Sequence, residues 1–150
     1  MRIEEEIQQF NFKNIYQKLH INVLFTASWI NQQSNQQLKS YNITWQQFNI
    51  LRILRGSHPK PATVKLLSER MIDKMSNASR LVEKLRQKGL VERTECPMDR
   101  RQVDVKLTDK GLILINEASE NMESINAIQM NTLSEQEAAT LNQLLDKMRF

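Results

Sequence analysis

The chain has one cysteine, three glycines, three prolines and two histidines in 150 residues, and aromatics make up only 6% of it. A lone cysteine, Cys96, excludes an internal disulfide, and a disulfide-free chain suits the cytosol. So few glycines and prolines exclude long stretches of coil. His20 and His58 are too few for a multi-histidine metal site within one chain. No apolar run is long enough to cross a bilayer. The opening MRIEEEIQQF is charged and lacks an apolar core, so no signal peptide is expected either. No nucleophile–base pair, glycine-rich phosphate loop or metal-ligand spacing is present, so neither an enzyme nor a bound cofactor or metal is expected.

Hydrophobic residues make up 40% of the chain, enough for a core, and Leu, Lys, Glu and Gln are common. One mainly helical domain with helical extensions is expected. The net charge of +4 is unevenly distributed. Residues 60–110 hold thirteen Lys/Arg against eight Asp/Glu, and the rest of the chain holds eight against nine. The whole basic excess therefore lies in the middle third, which favours a polyanionic partner; a solvated charged face is the competing reading.

Apolar spacing lays out the elements. Ile3, Ile7 and Phe10 mark a short amphipathic start. Residues 12–39 read as one helix of about 42 Å, with Ile15, Leu19, Val23, Thr26 and Ile30 on one line. Its second half, NQQSNQQLKS, is polar and is expected to fray or face solvent. Thr44-Trp45-Gln46-Gln47 resembles a capping box that opens a helix over 45–55, ended by GSHPKP. Thr63 caps a short helix reaching Met71. A helix over 74–88 follows, closed by Gly89. Residues 90–94 and 103–107 alternate as two strands around a charged turn. Thr108 caps a long helix over 111–131, with Leu112, Ile115, Ala118, Met122, Ile125 and Ile128 inward. Ser134 to Glu137 form a capping box for the last helix, which carries Ala138, Leu141, Leu144, Leu145 and Met148.

Helix, tight turn, helix and two-stranded hairpin in that order make a winged helix-turn-helix. On the 74–88 helix, Met75, Ala78, Leu81, Val82 and Leu85 form the packing face. Lys74, Ser76, Asn77, Ser79, Arg80 and Lys84 then line the exposed side and its flanks. Short polar side chains permit close approach to a major groove, Arg pairs bidentately with guanine, and Asn pairs with adenine. Arg100 and Arg101 at the hairpin tip suit an adjacent minor groove, with Asp99 placed to brace a guanidinium. Glu83 counts against a purely DNA-facing surface.

Residues 99–111, DRRQVDVKLTDKG, resemble the wing signature of the MarR family of bacterial transcription regulators. Asp99, Arg101, Leu107, Thr108 and Gly111 fall on its Asp-x-Arg and Leu-Thr-x-x-Gly positions, and SRLVEKLRQKGLVER upstream is similar to the family's recognition helix and following strand. The resemblance implies a mainly α fold with a small β-hairpin. Residues 1–40 and 112–150 would form a helical dimerisation region, and 41–111 a winged helix-turn-helix DNA-binding lobe. It further implies a cytoplasmic homodimer on a pseudo-palindromic operator in double-stranded DNA, acting as a repressor. Members often respond to a small aromatic or phenolic effector bound between the dimer helices and the lobe. Tyr16, His20, Trp45 and Phe48 are the candidates here, with core or interface packing as the competing reading. Oxidant-sensing relatives usually carry their cysteine near the N-terminus. Cys96 precedes the wing, so that role does not carry over and the thiol is read as incidental. A winged-helix module that binds protein instead of DNA is the alternative function.

Overall fold

The computed structural model describes the backbone of residues 1–150 and the side chains of all but residues 128 and 129, so the inward position expected for Ile128 lies outside the described residues. The elements run α1 (Ile3–Glu6), α2 (Ile15–Leu38), a 3₁₀ turn (Lys39–Tyr41), α3 (Trp45–Ser57), β1 (Ala62–Thr63), α4 (Val64–Arg70), α5 (Ala78–Gln87), β2 (Val91–Glu95), β3 (Val103–Leu107), α6 (Asp109–Met130) and α7 (Glu135–Met148). This is the mainly α, winged helix-turn-helix architecture that the spacing predicts.

Side-chain caps set the helix starts. Asn14, Thr44, Thr63, Asn77, Thr108 and Ser134 each accept a backbone N–H from three residues on. Thr44–Gln47 and Ser134–Glu137 close complete capping boxes. Asn77 also corrects a sequence boundary. The helix expected from 74 begins at Ala78, because Asp73 Oδ1 accepts the Met75 N–H at 3.0 Å and Asp73 O accepts that of Ser76 at 3.2 Å. That turn holds Lys74, Met75 and Ser76 outside the helix, and Met75 is 94% exposed instead of packing. A second correction concerns β1. This two-residue strand turns the hairpin into a three-stranded antiparallel sheet of order β1-β3-β2, with Ala62 opposite Val105 and Val91 opposite Leu107.

The core is built mainly from residues 43–107 and is completed by Leu38 of α2 and the start of α6. Ile50, Leu51 and Leu54 of α3 meet Leu67, Met71, Val82, Leu85, Val105 and Ile115, all essentially without solvent contact. Ala118 and Met122 continue the buried line of α6. The long helix α2 meets expectation in part: six of residues 31–40 are exposed, but this polar end does not fray. Its polar end is the docked end: Leu38 and Ser34 are buried, and Asn35 Oδ1 accepts the Trp45 N–H at 2.9 Å. Its apolar end is exposed, with Ile15 68% accessible. Short polar side chains let the backbones of α2 and α3 approach and still satisfy each other's polar groups.

One contact ties lobe, wing and scaffold helix together. Gly89, at φ +72°, ends α5 in the left-handed region that favours glycine. The Thr108 hydroxyl donates to Gly89 O at 2.7 Å, its N–H donates to Leu90 O at 3.1 Å, and its Oγ1 accepts the Gly111 N–H at 3.0 Å. A Cβ on Gly111 would lie 2.0 Å from Leu90 O, so only glycine lets α6 start this close to the chain leaving α5. Gly111→Ala should therefore lower stability by about 2–3 kcal/mol, the cost of forcing extra atoms into a packed backbone contact. That corresponds to a melting midpoint roughly 5–10 °C lower. Gly56→Ala, inside α3 with nothing within 4 Å of the added carbon, should raise the midpoint slightly. Thermal melting of the two variants checks both signs.

Candidate nucleic-acid interface

Helix α5 divides cleanly. Ala78, Val82 and Leu85 are buried and Leu81 is half-buried, whereas Ser79, Arg80, Lys84 and Gln87 are exposed on the other side. Asn77 spends its Oδ1 on the Arg80 N–H at 3.1 Å, which leaves its amide N–H₂ free at the mouth of the helix. Ser76 is half-buried in the turn, and Lys74 donates to Glu69 O, the carbonyl end of α4, so these two flank the helix start instead of riding on it. Unbonded N–H groups and the positive end of the helix dipole share the first turn of α5 with Ser79 and Arg80, an arrangement that attracts anions.

Glu83, which spoke against a DNA-facing surface, is neutralised in place. Arg86 grips it at 3.0 and 2.7 Å, and Arg93 of β2 reaches it at 3.4 Å. Hydrogen bonding from Arg86, with the charges of Arg86 and Arg93, holds its carboxyl below the ordinary glutamate range. Arg80 and Lys84 have no carboxylate partner among the described residues, so the free positive charge of α5 lies on its exposed side.

The wing is a tight, backbone-bonded turn. Cys96 N–H donates to Gln102 O at 2.9 Å, Asp99 N–H to Cys96 O at 3.2 Å, and Gln102 N–H to Asp99 O at 3.0 Å. Asp99 Oδ1 accepts the backbone N–H of Arg101 at 3.0 Å. The carboxylate thus fixes the turn and does not brace a guanidinium as expected. Arg100 and Arg101 are both exposed. Arg101 also borders a cleft of about 370 Å³ between the wing and the start of α4, lined by Thr63, Val64, Lys65, Asp99, Gln102 and Val103. Lys65 was not singled out in the sequence. The signal for it was present: a lysine two residues after a helix cap is held at the helix mouth. Cys96 sits half-buried at the root of the wing.

The four candidate pocket residues do not meet. Trp45 and Phe48 stack on each other, with centroids 5.7 Å apart, and Phe48 belongs to the core. Tyr16 and His20 are exposed near the far end of α2. Trp45 contacts α2 at Asn35. At 1.5 Å per residue, His20 lies about 22 Å and Tyr16 about 28 Å further along the helix. One chain cannot bring all four around a small molecule.

Residues 43–103 match the family model described as the MarR family. The chain is 32% identical over 115 residues to the HTH-type transcriptional regulator MgrA of Staphylococcus aureus, covering 77% of this chain and 76% of that protein. Among solved structures, a mutant MarR from E. coli, complexed with operator DNA, superposes with a TM-score of 0.78 at 25% identity over 93% of this chain and 99% of that one. The organohalide-sensing regulator RdhR in its 2,4-dichlorophenol-bound form shares the fold, with a TM-score of 0.82 at 22% identity over 94% and 85% of the two chains. With a polar-faced helix whose cations are free, an arginine-tipped wing, and a relative matched over three-quarters of its length, the chain belongs to the MarR family of DNA-binding helix-turn-helix transcription regulators.

Proposed function

We propose that the protein acts as a homodimeric repressor, with α5 of each protomer in a major groove of a pseudo-palindromic operator and each wing in the neighbouring minor groove. Residues 41–111 form the DNA-binding lobe in this reading, and residues 1–40 and 112–150 the dimerisation region. The observation that carries it is the sorting of charge: Glu83 is tied up by Arg86 and Arg93, while Arg80, Lys84, Arg100 and Arg101 face outward. Arg80, Asn77 and Ser79 are assigned to base edges and the near phosphates. Lys84, Lys74, Ser76 and Lys65 are assigned to the backbone on either side. Arg100 and Arg101 enter the minor groove, and Asp99 holds the turn that presents them. The alternative of a protein-binding winged module leaves four exposed, uncompensated cations without a purpose.

Uncovered apolar surface supports dimerisation. No residue of α7 is buried, and Leu144 is 54% exposed. Leu19, Val23, Ala27 and Ile30 of α2, with Leu141 and Leu145 of α7, line an open groove of about 360 Å³. A second copy of this chain is the natural cover for two helices left in this state. Occupancy of the operator then excludes transcription. A small aromatic or phenolic effector that lowers DNA affinity is supported by the fold shared with the dichlorophenol-bound regulator. Its site is not formed by Tyr16, His20, Trp45 and Phe48 of one chain, and a cleft completed by both protomers is the reading kept.

Binding to duplex DNA should weaken steeply with salt, as expected when phosphates release their counterions. Arg101→Ala should bind operator more than about tenfold more weakly with an unchanged melting midpoint, the effect of losing a groove contact by an exposed side chain. Mobility-shift and melting measurements read both, and wild-type affinity would remove the wing from the mechanism. Arg80→Ala should lower the ratio of operator to random-sequence affinity by about tenfold, the value of one good base contact, with a smaller effect on random DNA. Leu144→Glu should yield a folded monomer by light scattering; a persisting dimer would move the interface away from α7.

A further inference from the structure

Lys88 is the C-cap residue of α5, but its ammonium does not join the cations that face outward. Its Nζ donates to the carbonyl oxygen of Asn42 and to Oε1 of Gln47, the latter at 3.1 Å. Asn42 is the left-handed residue, φ +55°, that turns the chain from the end of α2 into α3. Gln47 is buried, and the same Oε1 accepts the Thr44 N–H at 3.1 Å in the capping box of α3. The ammonium thus reaches across 46 residues of sequence to the joint between α2 and the lobe. Burial, with Lys84 close by, holds it below the ordinary lysine range, so the link forms despite a desolvation cost. On the opposite side, Lys110 Nζ donates to Lys88 O at 3.1 Å from the first turn of α6. The end of α5 is therefore held from both directions, by the α2 joint and by α6.

Neither acceptor needs a lysine to be satisfied. Gln47 Oε1 already has the Thr44 N–H, and the carbonyl of an exposed residue such as Asn42 is readily served by water. A lysine left free at this end of α5 would also add attraction for phosphate. What the bridge adds is a tie between the end of α5 and the turn that leads from α2, the helix whose apolar half is left for a partner, into α3.

We propose that Lys88 is a positioning residue for operator recognition: its bridge to Asn42 and Gln47 sets the angle between α5 and α2, and so the separation of the two recognition helices in the dimer. The inference rests on the dimeric reading above. One lobe on one half-site needs no such angle. Two lobes on one duplex do, because half-site centres lie about one helical turn, roughly 34 Å, apart.

The test uses the full chain and a duplex that the wild-type protein selects from a random pool. Versions of it carry one inserted base pair between the half-sites, one deleted base pair, or one scrambled half-site. Wild type should lose about tenfold or more in affinity when the spacing changes, the expected penalty for displacing one recognition helix from its bases. Lys88→Met should melt near wild type and bind the half-site duplex as wild type does. It should bind the full site several-fold more weakly and discriminate spacing by less than about threefold, because the two lobes are no longer held in register. Lys88→Arg, which keeps a donor for both acceptors, should restore the discrimination. Spacing discrimination retained by Lys88→Met would overturn the proposal. So would equal losses on half-site and full-site duplexes, which mark a lost phosphate contact, or failure of this variant to fold, which marks a strut of the lobe itself. A wild-type protein indifferent to spacing would instead sink the dimeric reading, before Lys88 is tested at all.

Discussion

The close approach of Gly111 to the Leu90 carbonyl is the constraint on which the arrangement of the molecule depends. A helix can read a groove only if the rest of the protein holds it still, and α5 is only ten residues long. Its own hydrogen bonds cannot provide that rigidity, since short helices draw most of their stability from packing. The rigidity comes from its C-terminal end. Gly89 turns the chain, Leu90 offers its carbonyl, Thr108 takes both Gly89 and Leu90, and Gly111 removes the one carbon that would hold α6 away. β2 begins at Val91 and β3 ends at Leu107, so the wing grows out of the same knot. The recognition helix, wing and scaffold helix are therefore fixed by one set of backbone contacts, and none of them can tilt alone.

Charge is arranged around that knot with equal economy. Exposed ion pairs such as Glu83–Arg86, and Glu92–Lys106 at 3.5 Å, contribute little to stability because solvent screens them and long side chains must be ordered to make them. Their effect on the surface potential is larger. Each pair cancels a negative charge within the basic middle third and leaves the positive field to Arg80, Lys84, Arg100, Arg101 and Lys65. Position matters more here than net charge: in a chain with a formal charge of only +4, the one carboxylate on α5, Glu83, is already engaged.

Most of the fold was legible because its helix starts carry their own chemistry. Thr44, Thr63, Thr108 and Ser134 are caps that can be read from residue type and spacing. The failures have physical causes of their own. Met75 fits the apolar spacing of α5, but Asp73 and Asn77 compete for the local N–H groups and win, so the helix starts later. β1 is two residues long and exists only because β3 offers it an edge, which no local pattern announces. Asp99 was assigned to a guanidinium on charge grounds, but the nearer backbone N–H of Arg101 is the stronger claimant in a tight turn. Tyr16, His20, Trp45 and Phe48 share chemical character without sharing a location, and composition cannot detect the length of helix between them. Lys88 read as one more basic residue because its partners lie far away in sequence, where periodicity gives no information.

The division of α2 into a docked end and an uncovered apolar end explains why these pieces belong to one design. Had its apolar half packed on the lobe, the lobe would have been a closed unit and the exposed side chains of Ile15 and Leu24 would have needed no partner. Instead Leu38 enters the core, Ser34 is buried beside it and Asn35 accepts the Trp45 N–H, while the hydrophobic half is left exposed. Apolar burial is the larger and less directional driving force, whereas polar contacts fix geometry at modest net gain. The sequence thus assigns the geometric task to the end that meets the DNA-binding lobe, and the energetic task to the end that meets the proposed second protomer. In such an arrangement folding and association are linked: whatever covers α2 and α7 stabilises the orientation of the lobes by mass action. In the proposed dimer, a ligand that shifted this cover would need only a modest preference for one arrangement to change how well two recognition helices fit a duplex.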